Sequence, residues 1–224
     1  MDLLVYGYEY VSDKSENEFD MLYDIAKTKD KEALQNYIES GFDLNIVNKT
    51  GMTVAFYCLN NYKYESGLFL INAGCDINIH DIYGDTLLTL CCYNRNFNVK
   101  NLSVIKALID KGCDLDVQNK DGMTGLHNIA KCYCSHDHLT GQIGQILIEA
   151  GCRLDIKCNK GYIYKDLIRN VIVKGYVKKA LKNRWLKSSL LLRCVEFIKK
   201  FGQNKFKIKS LNKDIRCYFI KKNY

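Results

Sequence analysis

Apolar residues recur along the chain in paired stripes at helical spacing, and each pair is closed by a glycine. Leu22, Ile25 and Ala26 form one stripe and Ala33, Leu34, Tyr37 and Ile38 the next, ending at Gly41. Residues three and four apart share one face of a helix, so each stripe predicts an amphipathic helix. Ser15-Glu16-Asn17-Glu18 has the capping-box form and predicts the first helix start. The order then repeats. Residues 53–59 and 68–71 precede Gly74, residues 86–92 and 104–109 precede Gly112, and residues 124–130 and 143–148 precede Gly151. Thr53, Thr86 and Thr124 each stand two residues after a glycine, where a hydroxyl can cap the following helix. A glycine just past a last helical turn can take the left-handed conformation that closes it.

Between one helix pair and the next lie two glycines ten positions apart: Gly41/Gly51, Gly74/Gly84, Gly112/Gly122 and Gly151/Gly161. Each interval holds a short alternating stretch, such as Cys113-Asp114-Leu115-Asp116-Val117, that predicts an extended finger. The copies are offset by 33, 38 and 39 residues while the glycine interval stays fixed. The unit is therefore a structural repeat, and its extra residues are expected at the helix–helix turns, near 94–102 and 134–141.

The stretch Gly122-x-Thr124-Gly125-Leu126-His127, preceded by Gly112-Cys113-Asp114-Leu115-Asp116, resembles the ankyrin repeat. That family's unit is about 33 residues, a β-turn plus two antiparallel helices, with Thr-Pro-Leu-His opening the first helix. The resemblance covers residues 15–161 and implies an all-α fold, an ankyrin-repeat solenoid with β-turn fingers and a basic helical C-terminal tail. The expected organisation is an irregular segment 1–14, a helical cap 15–47, and repeats at about 48–80, 81–118 and 119–157. A degenerate terminal repeat and helical cap follow at 158–201, then a basic tail at 202–224. The terminal helix is read from two stripes, Val177, Leu181, Trp185 and Leu191, Val195, Ile198. The chain departs from the family in having no proline, the motif slot holding Val54, Leu87 and Gly125. The motif histidine survives only as His127, with Phe56 and Thr89 in its place elsewhere. Modest stability per repeat is expected, offset by stacking of neighbours.

Composition narrows the class further. With 47% hydrophobic and 26% charged residues the chain is globular rather than disordered. No export signal or bilayer-length apolar run is found, so an intracellular, cytoplasmic protein without a membrane partner is expected. The eleven cysteines are odd in number, and Cys75, Cys113 and Cys152 share one repeat slot after a glycine. Reduced, packed thiols are the expectation. Charge is split unevenly: residues 1–156 carry 13 Lys+Arg against 22 Asp+Glu, and residues 157–224 carry 20 against 3. A basic end of this kind suits an acidic partner.

Candidate chemistry is sparse. Cys132, Cys134, His136 and His138 alternate with single residues, a spacing ill suited to wrapping one zinc ion. His127 occupies the family's structural slot and no nucleophile motif accompanies it. The glycines follow helices, so they form no phosphate-binding loop. Asp43, Asn45, Asp76, Asn78, Asp114, Asp116 and Asp155 suit turn formation. Neither catalysis, a metal nor a cofactor is expected.

The resemblance implies a monomeric protein–protein interaction scaffold or adaptor whose partner is a protein not identified by sequence. Recognition would fall to the finger tips and the adjoining helix face: Val47, Lys49, Thr50 and Met52; His80, Ile82, Tyr83 and Asp85; Gln118, Lys120, Asp121 and Met123; and Tyr57, Tyr93 and Asn128. The alternative is nucleic-acid or acidic-partner binding through the basic C-terminal region, where lysines interleave with aromatics. The Lys-, Asn-, Ile- and Tyr-rich composition suits an AT-rich genome. Large DNA viruses and intracellular bacteria commonly encode ankyrin proteins, which would place a viral member in host cytoplasm.

Overall fold

Glycine closes and threonine opens the helix pairs in the computed structural model, which describes residues 13–28, 31–93, 99–132 and 137–201. The described helices are α1 (Asp13–Thr28), α2 (Lys31–Glu39), α3 (Val54–Asn60), α4 (Tyr64–Ala73), α5 (Leu87–Tyr93), α6 (Val99–Asp110), α7 (Gly125–Lys131), α8 (Asp137–Ala150), α9 (Tyr164–Leu167) and α10 (Val171–Phe201). They pair as predicted. First helices stack in one layer (α1 on α3, α3 on α5, α5 on α7, α7 on α9), and second helices in another (α4 on α6, α6 on α8, α8 on α10). Phe56, Leu88, Leu108, Ile129 and Leu147 are among the side chains that fill the space between layers. The fold is all-α, and among the described residues an isolated β-bridge joins Val47 to Thr53 at the first finger.

The threonine caps form as the sequence predicts. Thr53 Oγ1 accepts from Phe56 N at 3.2 Å, and Thr86 Oγ1 from Thr89 N at 3.3 Å. What the residue in the histidine slot adds differs by copy. Thr89 Oγ1 returns the favour by accepting from Thr86 N at 2.7 Å, and His127 Nδ1 accepts from Thr124 N at 3.2 Å. Phe56 has no such atom and instead fills the core. The missing proline is thus offset in two copies by a reciprocal cap that holds an extra backbone donor.

Three expectations need correction. α1 already includes Asp13, so Ser15 lies inside the helix and the segment 1–14 loses Asp13 and Lys14 to it; residues 1–12 lie outside the described ones. The extra residues of the later repeats do not sit wholly in turns. Residues 94–98 and 133–136 lie outside the described ones, but Leu102 and Gly141 are helical, and the second helices lengthen from 10 to 12 to 14 residues. Finally, the packed face of α10 is Val173, Val177 and Ala180, while Leu181 and Trp185 face solvent. Polar anchors set that rotation. Arg184 donates to the carbonyls of Cys152 (2.7 Å) and Gly151 (3.4 Å), and Asn183 donates to Glu149 at 2.7 Å. Leu191, Val195, Ile198 and the tail 202–224 lie outside the described side chains.

Candidate partner-binding face

Each finger is a turn held by its own side chains and joined edge to edge to the next. In the first three, an Asn or Asp three residues before the second glycine accepts two backbone N–H groups. Asn48 takes those of Thr50 and Met52, Asp81 those of Tyr83 and Asp85, and Asn119 those of Asp121 and Met123, all at 2.8–3.1 Å. Backbone bonds then link tip to tip: Ile82 N to Thr50 O (3.0 Å), Lys120 N to Tyr83 O (2.9 Å) and Asn159 N to Asp121 O (3.0 Å). The second glycine needs its freedom twice. Gly122 has φ 71°, and a Cβ there would lie 2.7 Å from the Asn159 nitrogen, so only glycine lets the tips meet.

The repeated Asx residues behind the tips work in alternation. Asp43, Asp76 and Asp114 accept from the backbone two residues on, at 2.8–2.9 Å. Asn45, Asn78 and Asp116 reach the following repeat, accepting from Asp76 N (2.7 Å), Asp114 N (3.2 Å) and Arg153 N (2.8 Å). In the last copy Asp155 instead meets Arg153 at 3.1 Å, an exposed pair of little energetic weight. Every member of this series has a structural use.

The expected contact residues differ in how far the fold exposes them. Lys49, His80, Tyr83, Lys120 and Asp121 are exposed along the tips, with Tyr83 60% accessible, and Tyr93 is exposed at the end of α5. Gln118 is exposed, but its amide donates to Gly122 O (2.7 Å) and Lys157 O (3.0 Å) and bridges two fingers. Val47, Thr50, Ile82 and Met52 are half-buried, Met52 against the core. Tyr57 is wedged edge-on between Phe19 and Tyr23, with centroids 5.8 and 4.7 Å away. Asp85 accepts from Asn119 Nδ2 at 3.0 Å; burial pushes its carboxyl up, against the opposing effect of that bond. Two residues expected at the surface are not there. Met123 is 7% exposed beneath its finger, and Asn128 is 4% exposed, its amide donating to Thr89 O at 3.2 Å across the stack.

A cavity of about 510 Å³ opens between the third and fourth fingers. Met123, Leu167 and Tyr162 give it apolar lining, and Lys131, Lys160 and Arg169 stand with Asp121 and Asp166 as its charged groups. The contact residues expected from the sequence end at the third finger, so the wall formed by the fourth lay outside them. The signal was present, since Gly161 sets Asn159, Lys160 and Tyr162 in the same register as the three earlier tips. It was obscured because Cys158 replaces the Asx residue of the other fingers.

The groups that invited chemical readings are engaged in structure. His127 Nδ1 accepts from Thr124, and its Nε2 lies 3.3 Å from the Tyr162 carbonyl. Burial pushes its imidazole below the ordinary value, so it stays neutral. Burial likewise pushes the thiols of Cys58, Cys75, Cys91 and Cys152 up to about 12 and that of Cys113 up to about 11. All of these cysteines are free and protonated at neutral pH. Of the alternating Cys/His cluster, Cys134 and His136 lie outside the described residues. Cys132 is half-buried, and His138 Nδ1 lies 3.4 Å from the Tyr176 hydroxyl.

Comparison with known proteins agrees with this geometry. The family model for the ankyrin repeat matches residues 83–120, which run from the second finger through α5 and α6 to the third. A mouse (Mus musculus) serine/threonine-protein kinase, TNNI3K, is 27% identical over a stretch covering 35% of this chain. That stretch is 13% of the kinase's own length. The likeness therefore bears on repeats and not on catalysis. Ankyrin repeats are non-catalytic modules that generally mediate protein–protein interaction. With its glycine-closed helix pairs, linked fingers and matched repeat, the chain is an ankyrin-repeat protein.

Proposed function

We propose that the protein is a non-enzymatic adaptor that binds a partner protein along the finger tips and the neighbouring concave helix face. The observation that carries this reading is the row of exposed side chains Lys49, His80, Tyr83, Lys120 and Asp121 on fingers locked together by backbone bonds. A preorganised row loses little conformational entropy on binding. Tyr83 offers the amphipathic anchor that interface centres favour. The cytoplasm is the setting that the free, protonated thiols suit best.

Photo-crosslinking tests the location. A benzoylphenylalanine placed at Tyr83 should capture a partner from cell lysate that the same group at Ser103, exposed on α6, does not. Capture from Ser103 with none from Tyr83 would place recognition on the opposite face.

A further inference from the structure

Beyond the fingers, α10 closes the stack against α8 and turns a second, different surface outward. From Val171 to Ser189 it carries six basic residues, Lys174, Lys178, Lys179, Lys182, Arg184 and Lys187, and no acidic one. Arg184 is spent on the Cys152 and Gly151 carbonyls, but Lys174, Lys178 and Lys182 are exposed. Helical register puts those three beside Leu181 and Trp185, the latter 68% exposed. Leu186 flanks them, and Val171 and Ile172 are exposed at the helix start. Large apolar groups set among cations, on the side of α10 turned away from its packed residues Val173, Val177 and Ala180, mark a surface with an occupant.

We propose that this outer face of α10 docks on an anionic lipid bilayer. Three arguments choose that occupant. The segment 202–224 carries seven basic residues and one acidic, so like charge disfavours its covering the face. On this face the exposed apolar groups Val171, Leu181, Leu186 and Trp185 are three aliphatics and one aromatic, and aliphatics gain by entering an acyl boundary, whereas single-stranded nucleic acid needs aromatic platforms. The other aromatic in this stretch, Tyr176, is half-buried against Gly141. A helix also presents a ridge, which suits a flat surface, and lysine stems lie along apolar groups while their ammonium heads reach phosphates. Such association needs no spanning segment, and no described helix is long and apolar enough to cross a membrane.

Trp185 is the chain's single tryptophan and sits within the proposed contact, so it reports directly. The full chain would be titrated with phosphatidylcholine vesicles containing about 30% phosphatidylserine, with neutral phosphatidylcholine vesicles, and with oligothymidylate. The proposal expects a blue shift and protection from acrylamide quenching with the anionic vesicles only. K178E/K182E should weaken partitioning by at least about 25-fold, about fivefold for each lysine withdrawn. Both side chains are exposed, so the far-UV spectrum should not change; if the variant fails to fold, the wild-type titrations decide alone. Unshifted emission with anionic vesicles, an equal response to neutral ones, or a stronger response to oligothymidylate would each overturn it.

Discussion

His127 Nε2 lies 3.3 Å from the carbonyl oxygen of Tyr162, so a ring on α7 bonds to the finger of the following unit. Its Nδ1 at the same time accepts from the Thr124 backbone at 3.2 Å, which places the ring proton on Nε2. Protonating Nδ1 would set two donors against each other in a buried site. The unfolded chain takes up that proton near pH 6.5, and the folded chain at a lower pH. Stability should therefore be full above about pH 6.5 and fall as pH drops from there toward the folded-state value. Urea midpoints measured from about pH 8 to 5 should show this acid-side loss. In H127T, which installs the residue of the second repeat's slot, that component should vanish. An unchanged slope in H127T would assign the loss to other groups.

Gly112 and Gly122 have nearly equal backbone angles, φ 79° and 71°, but different surroundings. A Cβ on Gly112 meets open space, so G112A should lose only the left-handed strain, about 1–2 kcal/mol. G122A carries the same strain and also drives a methyl against Asn159, adding at least about 1 kcal/mol. Chemical denaturation of the two variants should separate them in that order. Equal losses would show that the fingers yield at their junction.

Tyr176 packs directly on Gly141, where an added methyl would collide with its ring. G141A should destabilise the α8–α10 contact by about 1–3 kcal/mol and make α10 a preferred site of limited proteolysis. Truncating the ring in the G141A/Y176A double variant should recover part of the protection. If the double variant is as sensitive as the sum of its parts, the two residues are not coupled.

The packed thiols make a chemical prediction. Cys58, Cys75, Cys91, Cys92 and Cys152 should resist a thiol-directed alkylating reagent at neutral pH and react fully once the protein is denatured. Half-buried Cys132 should label faster than any of them. Peptide mapping by mass spectrometry reads each site separately, and fast native labelling of Cys75 or Cys152 would contradict the packing described.

The fold was legible because its determinants are local and repeated. Glycine at a left-handed turn and threonine at a helix start act within a few residues, so the spacing of Gly112, Gly122 and Thr124 sufficed. The rotation of α10 was not legible, since it depends on Arg184 reaching carbonyls more than 30 residues away and on Tyr176 meeting Gly141. The face of individual tip residues was readable only in part. Tyr83 and Met123 lie on either side of their fingers' second glycines, one before it and one after, and the first turns outward while the second turns under the hairpin. Asn128 was misplaced for a similar reason. Its amide finds Thr89 across a repeat boundary, and a single-repeat reading cannot contain that partner. The fourth finger was legible from Gly151 and Gly161, but its tip residues were left out of the expected contacts, although Asn159 N bonds to Asp121 O as the earlier tips bond to one another.

The central claim is that recognition lies on the exposed tips. It is tested most directly by measuring the affinity of the crosslinked partner for the wild-type chain and for Y83E, with thermal melting of both as a control. Tyr83 serves the frame through its backbone, its N–H donating to Asp81 and its carbonyl accepting from Lys120, and its side chain is exposed, so the variant should melt as the wild type does. An interface-centre residue predicts at least about a 30-fold loss of affinity. Unchanged affinity in a fully folded Y83E would contradict the claim.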